Sequence, residues 1–596
     1  MRDIRAWSAC WIAPLLCARV LHAQTSSHDA LVSVARDAVY TQARLYPMQA
    51  TLLGIAGFDG QLETPSEAYR AAYVQNVRKW QEQLHAITRS FNDATALADR
   101  DDARLLDAQL TQQLNALLVY QLDRKDYGAP AESIVNAIFT QFTHLPTPEK
   151  GAKQSDLDQA WADITARLEK TPAYLDAAAS LVTMPCHLFG VVSAKELAGA
   201  PDFLDGALSD AARKQLGAGS AAFARFSRAR DAAVSAIGRV RAYVDAHLQS
   251  WPENYAMGRA AYDRMLREEQ LLPFDAADID RMGRDELAHG WAEEAWLASV
   301  ARRSGVAFGA ASGGGMAPSG PALIDYYRER IAELNSFVAD ADLLTIPGWL
   351  GAIKVMETPQ FMQPVSPGAS MNPPRMFESS TTGYYYITPP KSLAAAAARL
   401  DMNEDFDRDR ILSTAAHEAM PGHFLQLSIA KRHPNFIRQI QGANAFIEGW
   451  AFYGEEMMVR LGLYGTDLDA RLDVARWERV RGARAIVDAK LASGEWSYPQ
   501  AVDFFVAQTG FTRPDAEAGV AMIAEQPGYV IAYTVGRYQL ESLLAEYMLR
   551  MGARGSLHDF HDRLLSYGST PFVIIGPELL ADLDKSAAQV RAAANY

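Results

Sequence analysis

From about residue 28 to residue 345 the apolar positions recur at three- and four-residue spacing with few strand-like alternations, a pattern that predicts a mainly α protein. Between Ser155 and Val182 the residues Leu157, Ala160, Trp161, Ile164, Leu168, Tyr174 and Leu175 trace one stripe, interrupted near Thr171-Pro172. Asp210 to Leu248 reads as one long helix with Arg and Lys on a solvated face, and Tyr255–Glu269 and Asp275–Arg302 continue the theme. No fixed-period repeat is visible. The texture changes between about residues 351 and 390. Ile353-Lys354-Val355 and several prolines precede Gly383-Tyr384-Tyr385-Tyr386-Ile387-Thr388, which Pro389-Pro390 closes; this is the strong strand signal of the chain. A small sheet is expected there, with its tyrosines packed and one face suited to walling an extended ligand. The glycine-rich stretch 308–321 lacks the lysine of a phosphate-cradling loop and reads as a flexible connection or lid. The expected organisation is a segment 1–23, a helical N-terminal region 24–345, and a region 346–596 with the sheet and the chemistry. The two large regions are expected to pack as one helical body enclosing a channel or cleft.

Composition narrows the partners. Hydrophobic residues make up 49% of the 596 and charged residues 21%, the proportions of a globular protein rather than a disordered or membrane-spanning one. A net charge of -14 disfavours nucleic acid and anionic lipid. Arg2 and Arg5 precede the apolar stretch Ala6–Ala18, and Leu21-His22-Ala23 leads into a polar Gln24-Thr25-Ser26. That sequence of regions reads as a signal peptide cut near Ala23, so the expected location is periplasmic or secreted; the run is too short to span a bilayer comfortably. Cys10 and Cys17 would leave with the signal. Cys186 would then stand alone, with no intramolecular disulfide possible, and its neighbour His187 is not thereby its base.

The chemistry concentrates in a short segment. Arg410–Met420 has helical spacing and runs into His417-Glu418-Ala419-Met420-Pro421-Gly422-His423. Two neutral imidazoles and an adjacent acid are what a zinc hydrolase needs. A spacing of six, however, turns about 240° on an unbroken helix and would aim the rings at different faces. Pro421 and Gly422 are expected to break the helix between the histidines. Glu448 follows within Glu448-Gly449-Trp450-Ala451, and a carboxylate from a second helix completes a three-ligand set of His417, His423 and Glu448 that leaves a position open. Glu455, seven residues on and on the same helix face, is placed to accept from a ligand imidazole. Phe446, Ile447, Trp450, Phe452 and Tyr453 mark this helix as buried, where an unpaired carboxylate is costly.

These motifs resemble the bacterial zinc-peptidase-like family catalogued as domain of unknown function 885. Besides the metal motif and Glu448-Gly449-Trp450-Ala451, the resemblance rests on Gly258-x-x-x-Tyr262-x-x-x-Leu266, Arg484-x-x-x-Asp488, Pro527-Gly528 with Tyr533-x-x-Gly536, and Phe560-His561-Asp562. It implies zinc on His417, His423 and Glu448, Glu418 as general base, and a helical body enclosing a channel; it implies no substrate. The stretch Arg484–Lys490 and Tyr529 depart from the family pattern, at positions bearing on substrate contacts rather than on the metal. The expected activity is hydrolysis of short peptides by zinc-activated water, with Tyr533, then His561, as donor to the oxyanion. Arg484 and Asp488 are expected to form an intrahelical ion pair, and Arg537 is the candidate clamp for a substrate carboxylate. The competing readings are an exported protein that binds peptide or zinc without turnover, and a hydrolase of other amides or esters.

Overall fold

The computed structural model describes residues 26–146, 151–305, 322–359, 368–389 and 408–594, with Ala317, Pro318, Gly320 and Gln363. The expected signal segment and most of the glycine-rich stretch 308–321 lie outside the described residues. The protein is mainly α with one small three-stranded sheet. No helix among the described residues is long and apolar enough to cross a membrane.

The stripe that begins at Leu157 forms the helix Gln154–Ala179, which runs on through Pro172. The expected helix from Asp275 is α1 (Ala276–Ser304); the Asp275 side chain accepts from the N–H groups of Ala277 and Asp278, and left-handed Gly305 ends it. Two expected helices are shorter than their apolar patterns. The stretch Asp210–Leu248 is broken after Gly217, which sits at φ +82°, and Ser220 caps a new helix Ala221–His247 by accepting from Phe223 N–H. Within Tyr255–Glu269, helix begins only at Arg259, because Gly258 at φ +85° turns the chain into it.

Strands β1 (Ile353–Glu357), β2 (Ala369–Asn372) and β3 (Gly383–Ile387) lie in the order β1-β3-β2, with β3 parallel to β1 and antiparallel to β2. All five residues of β3 are buried. Its period of two sends Tyr384 and Tyr386 into a core with Ile134, Ile138, Trp161 and Phe203, while Tyr385 and Ile387 enter a core with Ile411, Phe424 and Trp450. One strand thereby ties the N-terminal helices to the segment that bears the chemistry, and each such aromatic side chain contributes roughly 1.5–3 kcal/mol of burial. Two further cores are shared in the same way: Trp80 and Leu105 meet Ile437 and Ile574, and Cys186 and Phe189 meet Val487 and Phe505. Cys186 packs there as a small apolar side chain, and burial pushes its thiol pKa up.

Five further helices position the candidate site: α2 (Arg408–Glu418), α3 (His423–Ala430), α4 (Asn444–Arg460), α5 (Leu468–Ala492) and α6 (Ala532–Met551). Helices α4 and α6 approach through facing glycines: a Cβ on Gly449 would lie 2.5 Å from Gly536 Cα, and one on Gly536 would lie 1.8 Å from Ala445 O. That contact brings Tyr533 of α6 within reach of Glu448 of α4.

Candidate metal centre

The helix break expected from Pro421-Gly422 separates α2 from α3. Ala419 and Met420 N–H both donate to Ala415 O, at 2.8 and 3.1 Å, closing the end of α2. Gly422 then passes so close beneath the helix that a Cβ would fall 1.8 Å from His417 O, so no other residue fits there without moving His417. Trp450 pins the elbow by donating its Nε1–H to Pro421 O at 2.8 Å. The two imidazoles meet across this elbow with centroids 4.7 Å apart and planes at 84°.

Glu448 reaches both rings from α4. Its Oε2 lies 3.5 Å from His417 Nε2 and 3.4 Å from His423 Nε2, while Oε1 accepts from the Tyr529 hydroxyl at 2.8 Å. One ligand atom each from His417, Glu418 and His423 also lie within 4.8 Å of one another. Tetrahedral ligands about 2.0–2.1 Å from an ion stand about 3.3–3.4 Å apart, so the spacing of Glu448 Oε2 from the imidazoles fits a divalent metal of the N/O-loving kind. That oxygen is buried and accepts no hydrogen bond among the described residues, which makes it an orphan unless a cation or a proton lies against it.

Burial alone would push the His417 pKa down, but Glu448, Glu455 and Glu418 outweigh it and hold it up to about 10. Burial would raise Glu448, yet His423 and His417 hold it well below the usual carboxylate range; Glu455 is likewise lowered against its burial by Arg481 and His417. Glu418 goes the other way, raised by burial in spite of both histidines. Of the buried carboxylates, Glu455 is offset by Arg481, whereas Glu448 Oε2 is left to protons or a bound ion. Glu455 stands behind the first imidazole as expected: its Oε1 is 2.6 Å from His417 Nδ1, and Arg481 grips the same carboxylate at 2.6 and 2.9 Å. His423 Nδ1 has no such partner among the described residues.

Tyr533 stacks on His417, centroids 6.1 Å apart at 25°, and burial followed by the charge of Glu448 raises its pKa, so its hydroxyl stays a donor. His561 is not brought to the site. It is fully buried, Nδ1 contacts Leu343 O at 2.8 Å and Nε2 the Tyr453 hydroxyl at 3.0 Å, and burial lowers its pKa to about 4. With both nitrogens committed beneath Trp450 and Tyr453, it supports α4 and does not supply the expected oxyanion donor. The expected Arg484–Asp488 ion pair is also absent among the described residues. Asp488 instead accepts from the Tyr262 hydroxyl at 2.6 Å and from Gly528 N–H at 3.0 Å, and burial pushes its pKa up to about 7. Arg537 is no free clamp: it holds Glu286 at 2.6 Å, Glu456 at 2.9 Å and Glu478 at 3.0 Å. Tyr529, expected to bear on substrate contacts rather than on the metal, instead touches the ligand set, and Arg481 escapes a reading of the sequence. Tyr529, which donates to Glu448, carries the faint signal of standing one helical turn before Tyr533, and Arg481 is one arginine among many on α5.

Fold and cluster together define a mainly helical protein with an interior His–Glu centre fit for a divalent ion. Residues 47–578 match the family described as bacterial protein of unknown function (DUF885), and the chain belongs to that family. Its fold is similar to that of a "putative lipoprotein of unknown function" from Shewanella oneidensis, at TM-score 0.70 and 20% identity over 92% of this chain and 99% of that one. A "putative lipoprotein" from Colwellia psychrerythraea is similar at TM-score 0.73 and 18% identity, over 94% and 100% of the respective chains. No functionally curated protein matches the chain.

Proposed function

We propose that this protein is a zinc-dependent hydrolase of peptide bonds that acts on short peptides outside the cytoplasm. The observation that carries the reading is the single oxygen of Glu448 set 3.4–3.5 Å from two imidazole nitrogens, with Glu418 beside them. His417, His423 and Glu448 would hold the ion. When bound, zinc supplies Lewis-acid polarisation of a carbonyl and acidification of water. Glu418 takes the proton from the attacking water and returns it to the nitrogen of the leaving amine, so that one C–N bond is exchanged for one C–O bond. Tyr533 donates its hydroxyl hydrogen to the oxyanion that develops on the carbonyl oxygen. Glu455, fixed by Arg481, keeps the His417 Nδ1 proton in place and so leaves Nε2 as the ligating atom. Tyr529 fixes the carboxylate plane of Glu448. The lipoprotein descriptions of both similar structures, like the reading of residues 1–23, favour an exported protein.

Metal analysis of the purified protein coupled to a mass-spectrometric screen of unbiased peptides tests the reading. Turnover that disappears with a chelator and returns with zinc is expected. Glu418→Gln should keep the metal and lose turnover by about 10²–10⁴-fold. Cleavage by that variant at the parent rate would remove Glu418 as base. Stoichiometric peptide binding with no turnover would make the protein a peptide-binding module instead.

A further inference from the structure

Arg481, Arg484 and Asp488 follow one another along a single face of α5 at intervals of three and four residues. Arg481 grips Glu455 behind His417, and Asp488 accepts from Gly528 N–H, next to the Tyr529 that holds Glu448. Arg484 therefore stands between two residues that each lead directly to the ligand set. Its guanidinium carries the electrostatic influence of Tyr533, Arg481, Tyr529 and Glu448 and lies 5.7 Å from the Trp477 ring.

What sets it apart is its lack of an acid. The buried arginines of this half are paired: Arg410 with Asp473 at 2.9 Å, Arg438 with Asp102 at 2.8 Å, Arg479 with Glu294 at 2.6 Å and Arg537 with Glu286 at 2.6 Å. Among the described residues Arg484 has neither an ion pair nor a hydrogen bond, although burial depresses its pKa. An arginine cannot relieve that cost by shedding its proton, so a guanidinium with only partial access to water gains from an anion placed against it. Arg484 also keeps some accessible surface, as do Glu418, Tyr529 and Tyr533, whereas His417, His423 and Glu448 are buried. The planar fork of one guanidinium, within the influence of Glu448, matches a single carboxylate.

We infer that Arg484 binds the free C-terminal carboxylate of the peptide whose bond is cut, which restricts cleavage to bonds near the C-terminus. This rests on the hydrolase reading above, but its test does not need turnover. Calorimetric titration of the zinc-loaded Glu418→Gln protein would compare an N-acetylated tripeptide with a free C-terminus, the same tripeptide as its C-terminal amide, and an amide carrying a glutamate side chain. The free acid should bind more tightly than its amide by on the order of tenfold. Arg484→Gln, introduced beside Glu418→Gln, should erase that difference without changing metal content, and Arg484→Lys should restore part of it. Equal binding of acid and amide, or a preference that survives Arg484→Gln, would overturn the assignment. So would tight binding of the glutamate-bearing amide, which would give Arg484 a side chain as its ligand. A parent protein that discriminates acid from amide yet cuts nothing would leave this site standing and remove the hydrolase.

Discussion

Glu448 and Glu455 are withdrawn from water, and so are Asp126, Glu132, Glu196 and Glu525 at the other end of the comparison, where α6 and the metal helices take no part. Burial opposes ionisation in both groups. In the first, His423, His417 and Arg481 face the acids and hold both carboxyl pKa values down. In the second, the neighbours are mostly one another: burial raises Asp126 in spite of the N–H groups of Gly128 and Ala129, at 3.0 and 2.9 Å, and burial with repulsion from neighbouring acids raises Glu132, Glu196 and Glu525, the last pushed up to about 10. The first group therefore stores negative charge against fixed cations and the second stores protons. A count of acids does not make a metal centre; imidazole lone pairs and a cationic frame do. Among the described residues a histidine-bearing cluster of ligand atoms forms around His417 and His423 and not around Asp126.

The comparison breaks most completely at Glu448. Glu448→Ala removes the oxygen shared by both imidazoles, and metal content measured by elemental mass spectrometry should fall to background, taking turnover with it. One zinc per chain at the parent affinity in that variant would mean that the cluster does not bind the ion. A smaller effect is expected one step back. Glu455→Gln strips the charge that orients His417 and partners Arg481, and metal affinity read by competition with a chromophoric chelator should weaken about ten- to a hundredfold. Unchanged affinity would show that His417 needs no acceptor behind it.

The sequence made the elbow legible because its chemistry is local: Pro421-Gly422 between two histidines six apart can mean little but a break, and the 1.8 Å approach of Gly422 to His417 is the physical reason for it. Glu448 and Glu455 were legible from the helical period and from aromatic neighbours. The strand Gly383–Ile387 was legible from its bulk and its flanking prolines, although its role in joining two cores was not. What escaped depends on tertiary partners. Arg484 and Asp488 have ideal i,i+4 spacing, yet Tyr262, from a segment more than two hundred residues away, claims the aspartate first. Arg537 had the right charge for a clamp but finds three glutamates from α1, α4 and α5. His561 sits in a motif beside an aspartate, and only the packing of Trp450 and Tyr453 over it reveals a core residue.

The finest distinction between the two groups of acids is the sign of their response to pH, and Glu525 tests it. Its folded pKa of about 10 lies above the ordinary 4.5, so the folded protein holds this proton more tightly than the unfolded chain does. The associated stability is complete below the unfolded value and is lost progressively as pH rises toward the folded one. Access for the titration exists, since Asp126 and Glu525 line a cavity of about 570 Å³ together with Tyr46, Tyr69 and Tyr174. Glu525→Gln stays neutral at every pH and retains both a donor and an acceptor. Near pH 4 its urea midpoint should match the parent to within about 0.5 kcal/mol of stability, whereas near pH 9, each pH unit above the unfolded value removing up to about 1.4 kcal/mol from the parent, the variant should be the more stable by at least about 2 kcal/mol. A variant that is less stable than the parent at the higher pH would mean that Glu525 is ionised and paired, and the two groups of acids would then obey one rule instead of two.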